Sequence, residues 1–289
     1  MFEQVEVFHR PASVREAVRL LESGKGRARI VAGGTDLVVD ADSTIRALID
    51  ITHSGIAYIR QQGGACAIGA TTTMAELEES RAIRGLGGGI LARAAATCGS
   101  IQIRGAATVG GNIANGSPAA DLVTPLLVLD AVVVVADAKG RRKVPLAEYL
   151  AIRGTKALRN SLLVEVTVPA PPKGKRCGWS FQKLGRTALD ISVVNVAAGF
   201  QVDSKGRIQW ARIALGAVAP MAIRAAATEA KLSGRMLNAE AIAEAAESVM
   251  LAANPISDVR ASAAYRREMC RVLTRRALEE CAAQAGCVL

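Results

Sequence analysis

The segment that most constrains this chain is a break. Residues 169–176 read PAPPKGKR, and they follow SLLVEVTVP (161–169), whose apolar and polar residues alternate with the two-residue period of a strand. Three prolines cannot donate to a ladder or continue a helix, and three bases crowd among them, so the segment joins neither kind of element. Before it, strand-like and helix-like runs interleave; after it, strands come first and helices last. This order predicts an α/β or α+β domain over 1–170 and a smaller α+β domain over 177–289. A chain of 289 residues has room for one large or two modest domains.

Within the first part, Ser13-x-x-Glu16 and Thr73-x-x-Glu76 have the spacing of capping boxes at helix starts. ARIVA (28–32), IRALIDI (45–51), ACAIGA (65–70) and AVVVVAD (131–137) read as strands, the last followed by a DAKG hairpin turn. Residues 88–99 are Ala-rich and helix-like, and helical periodicity returns over Ala119–Leu129. Between them, SIQIRGAATVGGNIANGSPAADL carries enough Gly, Asn, Ser and Thr to argue against regular helix. Beyond the break, WSFQKL, ISVVNVAAGFQV and RIQWARIALGAV read as strands, with a DSKG turn between the last two. AEAIAEAAESVML (239–251) and a basic stretch from Ala261 to Cys281 read as helices.

Two glycine turns stand out. Gly33-Gly34 directly follows ARIVA, and Gly110-Gly111 sits in Thr108-Val109-Gly110-Gly111-Asn112. Glycine permits positive φ and lets a ligand lie against the main chain. Consecutive N–H groups at such turns form nests for phosphate oxygens. Thr35, Thr108, Asn112, Asn115 and Ser117 add the uncharged hydrogen-bonding groups that ribose or polyol hydroxyls require. Paired turns suit a dinucleotide; singly, each reads as an ordinary tight turn. Neither has the spacing of a Rossmann or Walker loop.

Composition removes other classes. Apolar residues are 51% and charged ones 21%, a globular balance that excludes a disordered chain. Aromatics are only 3%, too few for base-stacking platforms, although the net charge of +10 permits an anionic cofactor, nucleic acid or an acidic partner. No CxxC pair occurs among Cys66, Cys98, Cys177, Cys270, Cys281 and Cys287, so no metal or iron–sulfur site of this chain's own is expected. His9 and His53 have no partner at metal spacing, and no hydrolase motif supports a catalytic residue. MFEQVEVFHRP lacks the basic and apolar regions of an export signal, and LVTPLLVLDAVVVVADA is interrupted too often to span a bilayer. A soluble cytoplasmic protein with reduced thiols is the expectation.

VAGGTDL (31–37), IGATTTMAEL (68–77) and QIRGAATVGGNIANGSPAADL (102–122) resemble the FAD-binding medium subunit of the molybdenum hydroxylases. That family includes xanthine dehydrogenase, CO dehydrogenase and the aromatic-heterocycle dehydrogenases. PLAEYL, TKAL, FQKLGRTALDISVVN, ALGAVAP and SDVRASAAYRREM extend the resemblance along the whole chain. It implies an α+β protein: a PCMH-type FAD-binding domain of two α/β subdomains (about 1–54 and 55–170), then a smaller α+β domain with a three-stranded antiparallel sheet and helices.

By the same resemblance, Val31, Ala32, Gly33, Gly34, Thr35, Asp36 and Leu37 hold the FAD pyrophosphate together with Thr108, Val109, Gly110, Gly111 and Asn112. Ile103, Ala107, Asn115 and Ser117 flank the second loop. Asp121 matches a carboxylate that hydrogen-bonds the cofactor, with an N-cap before LVTPLLVL as the structural alternative. Leu163 and Lys183 match positions beside the flavin, a solvated strand-edge lysine being the alternative for Lys183. Cys98 stands where some members carry an aromatic residue, and reads as a small buried apolar one. Arg266, Arg267, Arg271, Arg275 and Arg276 read as a solvated or subunit-contacting face.

The implied function is electron transfer from a [2Fe–2S] small subunit through FAD to an external acceptor. A molybdopterin-binding large subunit would carry out hydroxylation, in a dimer of heterotrimers. A stand-alone FAD reductase or oxidase is the alternative, and a nucleic-acid-binding protein a distant third.

Overall fold

Capping side chains set two of the helix starts as their spacing predicts. Thr73 accepts the N–H of Glu76 at 3.2 Å while the Glu76 carboxylate takes the N–H of Thr73 at 2.7 Å, closing the box on α3 (Met74–Glu79). Ser13 likewise accepts from Glu16 at the start of α1 (Val14–Ser23), but Glu16 reaches back to Ala12 instead of Ser13. The structure, a computed structural model, describes residues 4–40, 42–170 and 176–289. It divides into two compact units.

The first unit comprises Met1–Ala82, Ser100–Gly116 and Asp130–Ala170. Its smaller sheet is parallel, with β1 (Val7–His9), β3 (Ala47–Asp50) and β2 (Ala28–Val31) in the order β1-β3-β2. Helix α1 crosses from β1 to β2 and buries Val14, Ala17 and Val18, the i, i+3, i+4 face of its sequence. The one-turn α2 (Leu37–Asp40) follows the first glycine loop.

The larger sheet of this unit is antiparallel. It holds β4 (Ile59–Gln62), β5 (Ala65–Gly69), β6 (Val132–Asp137), β7 (Gly140–Pro145) and β8 (Leu162–Val168) in the order β4-β5-β8-β6-β7, and α9 (Leu146–Ile152) follows β7. A bulge opposite Val134 and Val135 leaves Val164 unpaired with β6, and its carbonyl instead receives the N–H of Ala70 at 3.0 Å.

One expectation fails here. The glycine-rich stretch after residue 99 contains two short helices, α6 (Ile101–Ala106) and α7 (Val109–Asn115). Each starts on a hydroxyl cap: Ser100 Oγ accepts from Ile103, and Thr108 Oγ1 accepts from Gly111. Caps and packing outweigh the low propensity of Gly and Asn over one or two turns. The four-residue α4 (Arg81–Arg84) lies where the chain passes from the first unit to the second.

The second unit comprises Ile83–Gly99, Ser117–Leu129 and Pro171–Leu289. Of the break at 169–176, residues 171–175 lie outside the described residues. The sheet contains β9 (Cys177–Leu184), β10 (Val194–Val202), β11 (Ile208–Gly216) and the two-residue β12 (Ile223–Arg224), in the order β12-β11-β10-β9. Three long strands were expected; Ile223 and Arg224 add a fourth by pairing with Leu215 and Ala214.

One sheet face packs on α10 (Ala226–Leu232) and α12 (Ala263–Gln284), with α11 (Ala239–Ser248) against both of these helices, and the other on α5 (Ile90–Ala96) and α8 (Val123–Val128). With both faces covered, β10 is apolar almost throughout, and Val196, Ala198 and Phe200 are fully buried. Each of the larger side chains contributes about 1.5–3 kcal/mol by leaving water.

The arginine face assigned to α12 is corrected at Arg266. This residue is buried, donates to the carbonyls of Val193 and Ala217, and pairs with Asp258 at 2.8 Å. Arg271 and Arg275 remain on the outside, paired with Glu268 and Glu279. No helix among the described residues is long and apolar enough to cross a membrane.

Candidate functional site

In the first unit the chain leaves β2 at Val31 and runs through Ala32-Gly33-Gly34-Thr35-Asp36 before α2. Gly34 has φ +69°, the left-handed conformation that glycine accommodates at least cost. Gly33 is required for another reason: a Cβ there would lie 1.9 Å from the carbonyl oxygen of Ala106. The first loop thus rests directly on the α6–α7 junction, and the structure brings the two glycine loops together.

The loops are not equivalent. In the second, main-chain donors are spent inside the protein: Val109 donates to Thr72, Gly110 to Ala70, Asn112 to the Thr108 carbonyl and Gly111 to the Thr108 hydroxyl. In the first, the N–H groups of Ala32, Gly33, Gly34, Thr35 and Asp36 meet no acceptor among the described residues. Ala32 to Thr35 are half-buried and Asp36 is exposed, and donors left unpaired in a row form an anion nest. Beside the second loop, Thr71 Oγ1 is buried and unpartnered.

The glycines of the second loop also differ. A Cβ at Gly110 would meet Ala70 at 2.7 Å, so Gly110 serves close packing of α7 on β5. A Cβ at Gly111 would meet, among the described residues, Thr108 Oγ1 alone at 2.9 Å, and that side is otherwise open to them. Ile103 is exposed on α6, Ala107 and Thr108 are buried, and Asn112 is half-buried. Asn115 ends α7, and its carbonyl accepts from Arg153, as does that of Gly116. Leu163 is buried in β8, against which α7 packs. The Asp36 carboxyl is held above its ordinary value by desolvation and then by the like charge of Asp40.

The second unit places Asp121 and Lys183 together. Lys183 Nζ donates to Asp121 Oδ2 at 2.7 Å and to the Thr97 carbonyl at 2.8 Å. Asp121 Oδ1 accepts from Ser192 Oγ at 2.7 Å. The Lys183 and Asp121 side chains are 9% and 8% exposed, which removes both structural alternatives. Lys183 lies on an edge strand but is not solvated, and the N-cap of α8 is Leu122, without a side-chain cap. Burial pushes the Asp121 carboxyl up, while Lys183 and Ser192 pull it back. An ammonium has three N–H groups, so Thr97 and Asp121 leave one for a ligand.

Ser117 turns the chain toward α8, its hydroxyl accepting from Ala119. Cys98 is half-buried, not fully buried as expected, on the turn after α5. Ser192, Thr97 and Thr71 are the residues the sequence did not reveal. Thr71 alone had a local signal, the Thr71-Thr72-Thr73 run.

Residues 2–171 match the family described as the FAD binding domain in molybdopterin dehydrogenase, and residues 179–281 match the CO dehydrogenase flavoprotein C-terminal domain. This chain belongs to the FAD-binding subunits of the molybdenum hydroxylases. It is 36% identical over 272 residues to the 6-hydroxypseudooxynicotine dehydrogenase complex subunit alpha of Paenarthrobacter nicotinovorans, covering 92% of this chain and 90% of that one. To the xanthine dehydrogenase FAD-binding subunit of Escherichia coli O157:H7 it is 32% identical over 288 residues, covering 96% and 97%. The solved carbon monoxide dehydrogenase from Hydrogenophaga pseudoflava contains a chain that superposes with a TM-score of 0.92 at 32% identity, over 100% of both chains.

As a member of this family, the chain is a flavoprotein oxidoreductase subunit of a molybdopterin-dependent dehydrogenase, with FAD as its cofactor. Residues of the first unit fit FAD: unpaired donors at Ala32–Asp36 for phosphate oxygens, an open side at Gly111 and an orphan hydroxyl at Thr71.

Proposed function

We propose that this chain is the FAD-carrying electron-transfer subunit of a multi-subunit molybdenum hydroxylase, taking electrons from a [2Fe–2S] small subunit and handing them to an external acceptor. Substrate hydroxylation belongs to a separate molybdopterin-binding large subunit, so no general acid or base for it is assigned here. The assembly is a dimer of heterotrimers in the cytoplasm, and the chain divides functionally into 1–170 and 177–289.

The observation that carries this reading is the row of unsatisfied N–H groups after β2, seated by Gly33 on the Ala106 carbonyl. Such a row offers pyrophosphate oxygens donors whose positions are already fixed. Val31–Leu37 hold the pyrophosphate, with Thr108–Asn112 shaping the approach and Ile103, Ala107, Asn115 and Ser117 flanking it. Leu163 presents an apolar side chain toward the flavin. Lys183, steadied by Asp121, stabilises negative charge on the reduced ring by Coulomb attraction. When bound, FAD supplies the redox chemistry that no side chain of this chain offers.

The test uses the isolated, FAD-loaded chain. Dithionite should bleach its flavin absorption, while CO should not be oxidised and aromatic heterocycles should not be hydroxylated. Hydroxylation by the single chain at the rate of the native assembly would overturn the partner-dependent reading and favour a stand-alone flavoenzyme.

A further inference from the structure

We propose that Ser192 is a positioning residue for the flavin-facing cation: it fixes the carboxylate of Asp121, which in turn orients Lys183. The proposal rests on the reading that Lys183 stands beside the flavin.

Asp121 is gripped from two sides. Its Oδ2 takes Lys183 Nζ at 2.7 Å, and its Oδ1 takes Ser192 Oγ at 2.7 Å. Both gripping residues are anchored to the same strand pair. Lys183 lies in β9 directly opposite Asn195 of β10, and Ser192 lies just before Val193, whose N–H donates to Leu184 at 2.7 Å. Ser192 is 1% exposed, so water does not take over its bond to Asp121. The Thr97 carbonyl holds the ammonium at 2.8 Å. With two of its three N–H groups committed, the direction of the third follows from where Asp121 is held.

The electrical consequence has a sign. Burial drives Asp121 toward its neutral acid, and only Lys183 and Ser192 oppose this. Removing the Ser192 hydroxyl frees Oδ1 to turn and loosens the hold of Oδ2 on Lys183 Nζ. The ammonium is then less cancelled, negative charge on the reduced flavin is better stabilised, and the midpoint potential rises. Asp121→Asn removes the same charge outright while keeping a group of the same shape.

The experiment measures the flavin midpoint potential, by equilibration with a reference dye, and the FAD Kd of the loaded chain. Ser192→Ala should raise the potential, Asp121→Asn should raise it further, and Ser192→Thr, which keeps the hydroxyl, should leave it at the wild-type value. FAD affinity should change less than about threefold in Ser192→Ala, the size of a weak indirect effect. A purely structural Ser192 would instead lower thermal stability and leave the potential unmoved.

If Asp121→Asn raises the potential and Ser192→Ala does not, Ser192 has no positioning role. If neither moves it, the reading that puts this pair beside the flavin fails, and the proposal with it. Should Ser192→Ala lose its flavin, Ser192→Cys, nearly isosteric but a weaker donor, is expected to shift in the same direction, and no shift would overturn the proposal.

Discussion

A Cβ on Gly33 would fall 1.9 Å from the carbonyl oxygen of Ala106, so the loop after β2 and the α6–α7 junction meet main chain to main chain. That contact is internal to the protein. It separates two glycines that sequence spacing makes look alike.

Gly33→Ala and Gly111→Ala should therefore behave differently. The first forces backbone apart and should cost roughly 3 kcal/mol or more, with a lowered Tm and loss of FAD together. The second meets only the Thr108 hydroxyl at 2.9 Å. It should fold nearly as well as wild type while binding FAD about tenfold or more weakly, a loss of about 1.4 kcal/mol. Thermal melts and FAD titration decide it; wild-type affinity in Gly111→Ala would leave the second loop a structural role only.

The buried pair predicts non-additivity. Asp121→Ala or Lys183→Ala alone strands a charge and should cost about 3–5 kcal/mol. The double variant should cost less than the sum of the two, because no unpaired charge remains. Additive losses in a denaturant-unfolding cycle would show that the two groups do not depend on one another.

Much of this architecture was legible along the chain, because burial writes itself into periodicity. ARIVA and AVVVVAD are strands by composition alone, and Thr73-x-x-Glu76 is a capping box in fact. The stretch after Gly99 was misleading, because α6 and α7 exist through the caps at Ser100 and Thr108 and through packing of Gly110 on Ala70. Asp121 and Lys183 were found separately. Their bond, across 62 positions, and the grip of Ser192 are products of tertiary packing with no local signature. The differing use of N–H groups in the two glycine loops was equally hidden, since it depends on what Thr72 and Ala70 accept.

At high pH, Tyr58 should titrate late. Desolvation first, then the bond from its hydroxyl to Glu165 Oε2 at 2.7 Å, pushes the phenol from 10.0 up to about 12. A raised phenol stabilises the fold fully below its unfolded value, and that contribution is lost as pH rises through about 12. Glu165→Gln should bring the transition down in an alkaline titration followed by tyrosinate absorbance. An unchanged titration would remove Glu165 as a cause.

Acid acts through Asp258. The N–H of Arg260, followed by Arg266 and the N–H of Ala261, holds its carboxyl well below the ordinary value. A lowered carboxyl contributes stability above its unfolded value, near 3.8, and loses it as pH falls through the lowered one. Asp258→Asn should flatten the acid limb of the Tm–pH curve below about pH 4. An acid limb of unchanged slope would assign the loss to other carboxylates.

The most direct test is the cofactor content of the natively purified assembly, before and after this chain is separated from its partners. FAD is expected to stay with this chain at about one per chain, while iron and molybdenum leave with the other subunits. Flavin departing with a partner, or iron or molybdenum remaining on this chain, would contradict it.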